Sequence, residues 1–326
     1  LDGVFSFILY DFENNNIYVA RDPYGIRPLY YFTQQNSLGF SSELKCINNL
    51  VIKKENIYNF LPGHFMVLNN LTNSVNISYK KYINFPCTNN IYNVNNYNDL
   101  YKIIVEKLEE SVKKRVIGTT ERPVACLLSG GLDSSLIACL VNKFINIDKK
   151  DDEKIKLNTY SIGLEGSEDL KYAKIVAQHI NSNHHEVVFS DDDFFNAIPE
   201  VIEKIESFDT TTVRASVGNY LIAKYIKENS ECKVIFNGDG ADELMGGYLY
   251  FKKSPNSYAF DYECKRLLND IYNYDVLRSD KSISSNGLEP RTPFLDRSWV
   301  EFYLSIDKHL RYNTTINNCE KYLVRK

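Results

Sequence analysis

After about residue 100, short apolar runs alternate with stretches of helical periodicity, and this alternation restricts the possible folds more than any other feature of the chain. Residues 123–128 form a nearly continuous apolar run, which is typical of a strand buried on both faces of a parallel sheet. The pattern predicts further strands at residues 157–162, 185–189 and 233–236, and helices at residues 134–144, 170–180, 192–205 and 215–227. Strands that alternate with helices predict an α/β fold with a doubly wound, mostly parallel sheet, in which ligands bind at the carboxyl ends of the strands.

The first part of the chain has a different pattern. Short aromatic and β-branched runs at residues 4–10, 17–21, 29–32 and 63–68 are separated by Asn, Pro and Gly, which predicts an antiparallel sheet. An Asn-rich tract at residues 88–98 is too polar to bury much surface, and helical spacing begins directly after it, at residues 100–118. We therefore predict two domains, a β-rich domain over residues 1–95 and an α/β domain over residues 96–326.

Composition excludes several classes of partner. The chain of 326 residues has 38 Lys and Arg against 42 Asp and Glu, so its charge of -4 argues against a nucleic-acid surface and favours small-molecule partners. No apolar stretch approaches the roughly 18 residues of a membrane span, so no membrane partner is expected. The seven cysteines have no CxxC spacing, which fits neither zinc nor a disulfide framework and predicts a reducing, cytosolic location.

The strongest candidate site is the segment LLSGGLDSS at residues 127–135, where a predicted buried strand turns into a helix. Gly130 and Gly131 let backbone N–H groups approach an anion, Ser129 and Ser134 add hydroxyl donors, and the helix N-terminus adds partial positive charge. No Lys follows the glycines, so this is not a Walker loop. The alternative is a tight turn in which Ser129 is only a helix cap.

Asp133 in this segment implies a cation, because a carboxylate that faces bare phosphate is repelled. A Mg²⁺ ion that bridges Asp133 to phosphate oxygens is the simplest arrangement. A second acidic segment, NGDGADELMGGY at residues 237–248, follows the predicted strand at 233–236. Its clustered carboxylates require a cation or a raised pKa, so we predict Asp242 as a second Mg²⁺ ligand and Asp239 as the group that acts on an incoming carboxylate or amine. The alternative is a solvated acidic turn.

The motif SGGLDS at residues 129–134 resembles the pyrophosphate loop of ATP pyrophosphatases, which cleave ATP to AMP and pyrophosphate. Further segments narrow the resemblance to the glutamine-dependent asparagine synthetase family over essentially the whole chain. RDPYGIRPLY at 21–30 resembles the last turn of a class II glutaminase domain, and DTTTVRAS at 209–216 resembles a substrate-side segment. EPRTPFLD at 289–296 resembles a later family signature that we assign to packing.

The resemblance implies an adenine nucleotide α-hydrolase-like sheet and an enzyme that makes asparagine from aspartate through β-aspartyl-AMP. The implied ligands are ATP and Mg²⁺ with aspartate and glutamine or ammonia, and a homodimer is left open. It implies catalytic roles for Asp239, Thr211, Thr212 and Arg214, although the threonines and arginine fit a helix start and a surface charge equally well. The implied nucleotide contacts are Leu128, Ser129, Gly130, Gly131, Asp133, Ser134, Ile162, Asn237 and Gly238, and the implied metal ligands are Asp133 and Asp242.

The chain departs from the family in two respects. Where the family has Ser-Gly-Glu-Gly, this chain has Asn237-Gly238-Asp239-Gly240, so one carboxylate is a methylene shorter and an amide replaces a hydroxyl. We also expect the glutaminase nucleophile upstream of Leu1 and the family's substrate-side lysine beyond Lys326. Two rival functions stay open at this point: another amide-forming ATP pyrophosphatase, such as a β-lactam-forming synthetase, or a silent member that binds nucleotide without catalysis.

Overall fold

The computed structural model describes residues 1–34, 37–51, 53–69, 76–84, 97–119, 122–147, 149–150, 153–312 and 319–326. Contacts divide the chain into two compact units, Leu1–Phe85 with Leu268–Leu277, and Pro86–Leu267 with Arg278–Lys326. Most of the Asn-rich tract lies outside the described residues, so the predicted domain boundary near residue 95 stays a prediction. The inclusion of Leu268–Leu277 in the first unit was not predicted.

The first unit is built on antiparallel sheets, as its aromatic and β-branched runs predict. Its elements are β1 (Ser6–Asp11), β2 (Asn16–Arg21), β3 (Tyr30–Gln34), β4 (Ser37–Ser41), α1 (Leu44–Asn48), β5 (Ile57–Asn59), β6 (His64–Asn69) and β7 (Asn76–Lys81). The described strands form a sheet of order β1-β2-β6-β7 and a second of order β4-β3-β5, both with antiparallel pairing. Val19, Phe60 and Met66 lie in the core between hydrophobic neighbours from both sheets.

The rest of the chain alternates helices and strands. Its elements are α2 (Tyr97–Ile117), β8 (Val124–Leu127), α3 (Leu132–Phe144), β9 (Asn158–Gly163), α4 (Glu168–His179), β10 (Asn183–Val188), α5 (Asp191–Ile205), α6 (Thr210–Asn229), β11 (Val234–Phe236), α7 (Ala241–Met245), α8 (Ser257–Asp270), α9 (Asp275–Ser284), β12 (Glu289–Arg291), α10 (Arg297–Ser305), α11 (Lys308–Arg311) and α12 (Tyr322–Arg325). The observed bounds confirm the predicted strands and helices between residues 100 and 236, with shifts of a few residues at their ends.

The second unit is organised around a parallel sheet of order β10-β9-β8-β11-β12. Ala125 of β8 and Ile235 of β11 pack in one cluster with Ile222 and Ile226 of α6. Val124 and Cys126, which flank Ala125 in β8, are buried too, and neighbouring residues of a strand point to opposite faces. The strand is therefore covered on both faces, which confirms the α/β fold and its parallel sheet.

The described residues contain no helix that is both long enough and apolar enough to cross a lipid bilayer.

Candidate active site

The candidate site lies where the strand order of the parallel sheet reverses direction. The chain leaves β8 toward β9 on one side, while β11 pairs with β8 on the other side, so a crevice opens between the carboxyl ends of β8 and β11. A cavity of about 230 Å³ occupies this position. Its walls are formed by Leu127, Ser129, Gly131, Asp133, Ser134, Asn219, Asn237, Gly238 and Asp239. The two segments predicted from the sequence therefore meet at one cavity.

The loop after β8 is held in shape by its two serines. The N–H of Ser129 donates to Ser134 Oγ at 3.2 Å, the N–H of Gly131 donates to Ser129 Oγ at 3.3 Å, and the two hydroxyl oxygens are 3.0 Å apart. These bonds are long, so their N–H and hydroxyl donors can exchange the serine oxygens for the oxygens of an anion. The loop thus presents hydroxyl and N–H donors at the first turn of α3, as a phosphate site requires.

Two glycines allow the close approach of neighbouring segments to this loop. Gly130 has φ +79°, and a Cβ on it would lie 2.5 Å from the backbone of Tyr172 and Ala173 in α4. A Cβ on Gly238 would lie 3.0 Å from Asp133 Cβ. Glycine at these positions therefore lets the acidic segment and α4 pack directly against the phosphate loop.

Lys321 joins the two predicted metal ligands. Its ammonium Nζ lies 2.5 Å from Asp133 Oδ2 and 2.5 Å from Asp242 Oδ1, and its side chain is only 6% exposed. Lys321 has φ +56°, an unusual backbone angle for a residue other than glycine. Asp133 and Asp242 are thus brought together as predicted, but an ammonium group stands between them.

Charge balance keeps this ammonium protonated. Burial by itself lowers the pKa of Lys321, but Asp133 and Asp242 outweigh burial, so the pKa is raised. Within the described residues, Asp133 Oδ1 is buried and has no hydrogen-bond partner, an arrangement that costs about 1–3 kcal/mol. The site therefore retains an acceptor for a further cation or donor.

A cation at this site would have to share its ligands with phosphate. No group of three or more His, Cys, Asp or Glu side chains in the described part of the chain could hold a metal ion. Mg²⁺ is commonly bound by one or two carboxylates together with substrate phosphates, however, so two carboxylates beside a phosphate loop suit it. The unpartnered Asp133 oxygen fits such an ion.

The three acids of the segment after β11 have different environments. Asp239 lines the cavity, Asp242 pairs with Lys321, and Glu243 is buried and accepts a hydrogen bond from the Tyr248 hydroxyl. Asn237 is buried, and its side-chain Nδ2 donates to Asp239 Oδ2 at 2.7 Å. The segment is therefore a paired and partly buried structure rather than a solvated acidic turn.

The substrate-side residues predicted on α6 are not gathered around the cavity. Thr212 is buried, and its N–H donates to the Asp209 carboxylate that caps the helix, whereas Thr211 and Arg214 are exposed. Arg214 lies on a separate apolar groove between α5 and α6, beside Phe195. From this helix, Asn219 lines the cavity instead, a residue that the sequence patterns did not single out.

Two of the predicted nucleotide contacts, Leu128 and Ile162, are not in the lining of the cavity. Leu128 is buried, and its N–H donates to the carbonyl of Tyr160 in β9 at 2.8 Å. Ile162 is in β9 and packs against the apolar clusters that include α6. Both therefore stand at the carboxyl ends of adjacent strands, which is where main-chain contacts to a base would be available.

The turn after β2 in the first unit is held by buried polar groups. The Arg21 guanidinium donates to the carbonyls of Arg27, Phe60 and Gly25 at 2.7–2.8 Å, and Asp22 accepts from three backbone N–H groups of the turn. Both side chains are almost fully buried. They fix the fold of this turn through backbone contacts.

Lys321 is the main site residue that sequence reasoning missed. The sequence patterns predict a substrate-side lysine beyond Lys326 and do not single out Lys321, which contacts both carboxylates. Its only sequence signal is a basic residue in a short C-terminal segment, which matches many surface lysines. Gly247 leaves the space that this ion pair occupies, because a Cβ there would lie 1.8 Å from Asp242 Oδ1 and 2.2 Å from Lys321 Cε.

Comparison with known proteins gives consistent matches. The sequence profile of asparagine synthase matches residues 104–262 and 252–326, and that of a glutamine amidotransferase domain matches residues 1–49. The glutamine-hydrolysing asparagine synthetase of Gallus gallus is 42% identical over 341 residues, and that of Homo sapiens 41% over 344 residues. Each alignment covers 100% of this chain and 60% of the relative, so the chain spans about 60% of the length of these relatives.

An NH3-dependent NAD synthetase structure from Campylobacter jejuni aligns with a TM-score of 0.31 and 20% identity, over 45% of this chain and 60% of that one.

Proposed function

Because this chain belongs to the asparagine synthase family, we propose that the complete natural protein converts aspartate to asparagine, with ATP cleaved to AMP and pyrophosphate. The observation that carries the proposal is the joint placement of the serine-glycine loop and Asp239 at one cavity in the crevice of the sheet, with Lys321 paired to Asp133 of the cavity wall.

The first step forms an acyl-phosphate bond. An oxygen of the aspartate side-chain carboxylate attacks the α-phosphorus of ATP, the bond from that phosphorus to the bridging oxygen breaks, and pyrophosphate leaves. Donors of Ser129, Gly131 and Ser134 and the first turn of α3 stabilise the leaving group, and the Lys321 ammonium is held by Asp133 of the same turn. The product that stays bound is β-aspartyl-AMP.

The second step forms the amide. The nitrogen of ammonia attacks the acyl carbon, a proton passes from that nitrogen to the Asp239 carboxylate, and the bond between the acyl carbon and the AMP oxygen breaks. This role for Asp239 is supported by its position on the cavity wall. Glutamine is the proposed nitrogen source, since residues 1–49 match a glutamine amidotransferase domain, and free ammonia is the proposed substitute.

We assign Mg²⁺ to Asp133 and Asp242. When bound, it supplies charge neutralisation for the phosphate oxygens. Asp133 Oδ1, buried and without a partner in the described residues, is the oxygen best suited to hold it. The catalytic roles of Thr211, Thr212 and Arg214 stay proposals, and Leu128, Ile162, Asn237 and Gly238 stay proposed nucleotide contacts. A cytosolic location agrees with the free thiols of the described cysteines, and a homodimer stays a prediction.

The test uses the complete natural protein and aspartate whose side-chain carboxylate carries ¹⁸O. Attack of that carboxylate on the α-phosphorus transfers one ¹⁸O to AMP, which mass spectrometry detects. We expect labelled AMP, pyrophosphate and asparagine. Formation of ADP and phosphate, or of AMP without label, would contradict the proposal.

A further inference from the structure

Asn237 makes a set of contacts that the proposed chemistry does not yet use. It follows directly on β11 and is only 6% exposed. Its Nδ2 donates to Asp239 Oδ2 at 2.7 Å and to Ser279 Oγ at 2.8 Å, and its Oδ1 accepts from the Asp239 N–H at 3.3 Å. One amide group thus binds the carboxylate and the backbone of Asp239 and ties both to α9.

The donor and acceptor pattern permits only one orientation of this amide. A primary amide has two N–H donors on nitrogen and an acceptor oxygen. In the observed orientation, the nitrogen faces the Asp239 carboxylate and the oxygen faces an N–H. A flipped amide would place its oxygen against the carboxylate and its NH₂ group against the Asp239 N–H, so both contacts would become repulsive.

Ser279 anchors the amide on a buried helix face. Its side chain is 1% exposed, and the neighbouring Asp280 and Lys281 are buried as well. Lys281 forms an ion pair with Glu206 at the end of α5, with both side chains less than a tenth exposed. The acceptor that holds Asn237 therefore belongs to an element that is itself fixed by packing and charge, as precise positioning requires.

We propose that Asn237 is a positioning residue that holds the short Asp239 carboxylate in its reactive placement, with Ser279 setting the orientation of the Asn237 amide. This inference rests on the proposed function of Asp239. The hydrogen bond from the amide favours one staggered rotamer of the Asp239 side chain, and a change of rotamer displaces the carboxylate by roughly an ångström or more. Displacements of about 1 Å at reacting groups cost on the order of 100-fold in rate.

The central experiment is a double-mutant cycle in the complete protein that combines Asn237→Ser with Asp239→Glu. Serine cannot span the distance from position 237 to both Asp239 and Ser279, so Asn237→Ser alone should lower kcat by about 100-fold with little change in KM for ATP. The extra methylene that Asp239→Glu introduces moves the carboxylate past the amide, so Asn237→Ser in that background should lower kcat by less than about threefold. Equal losses in the two backgrounds would overturn the inference.

Ser279→Ala is a milder test with a matched control on the same helix. It removes one acceptor of the Asn237 amide and should lower kcat about fivefold, as expected for the loss of one hydrogen bond. Ser282 is also buried on α9, and its hydroxyl has no hydrogen-bond partner within the described residues. Ser282→Ala should therefore leave kcat unchanged, and an equal loss in both variants would contradict the role of Ser279.

A structural readout separates this inference from the proposed function. Crystal structures of the parent and the Asn237→Ser protein should show the Asp239 carboxylate in different positions, more than about 1 Å apart. This comparison holds even if the isotope test contradicts aspartate activation. An unmoved carboxylate in the variant would overturn the inference, whatever reaction the protein catalyses.

Discussion

Two charged clusters of the second unit have opposite composition. In the first, called the cavity cluster because Asp133 lines the cavity, two carboxylates share one ammonium, since Asp133 and Asp242 both contact Lys321. At the start of α10, two cations share one carboxylate, because Lys114 and Arg115 each lie 2.6 Å from Asp296 Oδ2. The first cluster has an excess of negative charge among its three groups, and the second an excess of positive charge.

The clusters also differ in how completely their polar atoms are satisfied. The second oxygen of Asp296 accepts from the Trp299 N–H at 3.1 Å and caps α10, and the carboxylate is 1% exposed. By contrast, Asp133 Oδ1 is buried without a partner in the described residues and belongs to a cavity wall. A satisfied cluster stabilises the fold, whereas an unsatisfied one beside a cavity is suited to bind a ligand.

The largest expected effect is on activity at the cavity cluster. Lys321→Met removes the only ammonium seen between Asp133 and Asp242 in the described residues. It should lower the rate of pyrophosphate release by about 10³-fold, which is the loss typical when an enzyme loses a donor that stabilises the charge of its transition state. Steady-state kinetics of the complete protein measure this. Lys326→Met, which changes an exposed lysine of the same segment, serves as the control. Equal rates in the two variants would remove Lys321 from the site.

The second expected effect is on stability at the other cluster. Asp296→Asn leaves two cations without their carboxylate and should lower the free energy of unfolding by about 3–5 kcal/mol, as for other broken buried ion pairs. Activity per folded molecule should change less than about twofold. Urea denaturation gives the stability, and Asp307→Asn, at the less buried cap of α11, is the control. A fall in activity without a fall in stability would place Asp296 in the catalytic machinery.

A smaller effect is expected from steric pressure on the cavity cluster. Gly247→Ala adds a Cβ that would lie 1.8 Å from Asp242 Oδ1 and 2.2 Å from Lys321 Cε, so both side chains must move. Because this displaces the Lys321 ammonium, activity should fall about 100-fold. Gly218→Ala in α6 meets nothing closer than 4.0 Å and should stabilise the helix by about 0.5–1 kcal/mol without loss of activity. If Gly247→Ala keeps full activity, the cluster tolerates the displacement and its geometry is not critical.

The smallest effect is a pH dependence that reports on the second cluster. Burial by itself raises the pKa of Asp296, but Arg115 and Lys114 outweigh it and hold the pKa below the ordinary value. The unfolded chain, with a pKa of about 3.9, then binds more protons in acid, so the stabilisation is present above about pH 4 and is lost as the pH falls below it. Denaturation of the parent and Asp296→Asn proteins should give a stability difference at pH 6 that shrinks at pH 3. A difference independent of pH would show that the carboxylate charge contributes nothing.

Much of this architecture was predictable because its determinants are local. A buried strand such as β8 is visible in the sequence as an apolar run. The Gly-Gly turn with flanking serines permits the same tight backbone conformation wherever it occurs. The strands and helices between residues 100 and 236 follow from such patterns. The short strands β4, β5 and β7 were missed, because three to six residues with weak alternation give little periodic signal.

The amino-acid sequence by itself determined the alternation of strands and helices, the phosphate loop and the acidic segment, since each depends on neighbours within a few residues. Only the tertiary structure decided that Lys321 stands between Asp133 and Asp242, that Asn237 is hydrogen-bonded to Ser279, and that Arg214 lines a groove other than the cavity. The hydrogen bond from Asn237 to Ser279 joins residues 42 positions apart, and that from Lys321 to Asp133 joins residues 188 positions apart. Such pairings depend on how whole elements pack, and no local spacing encodes them.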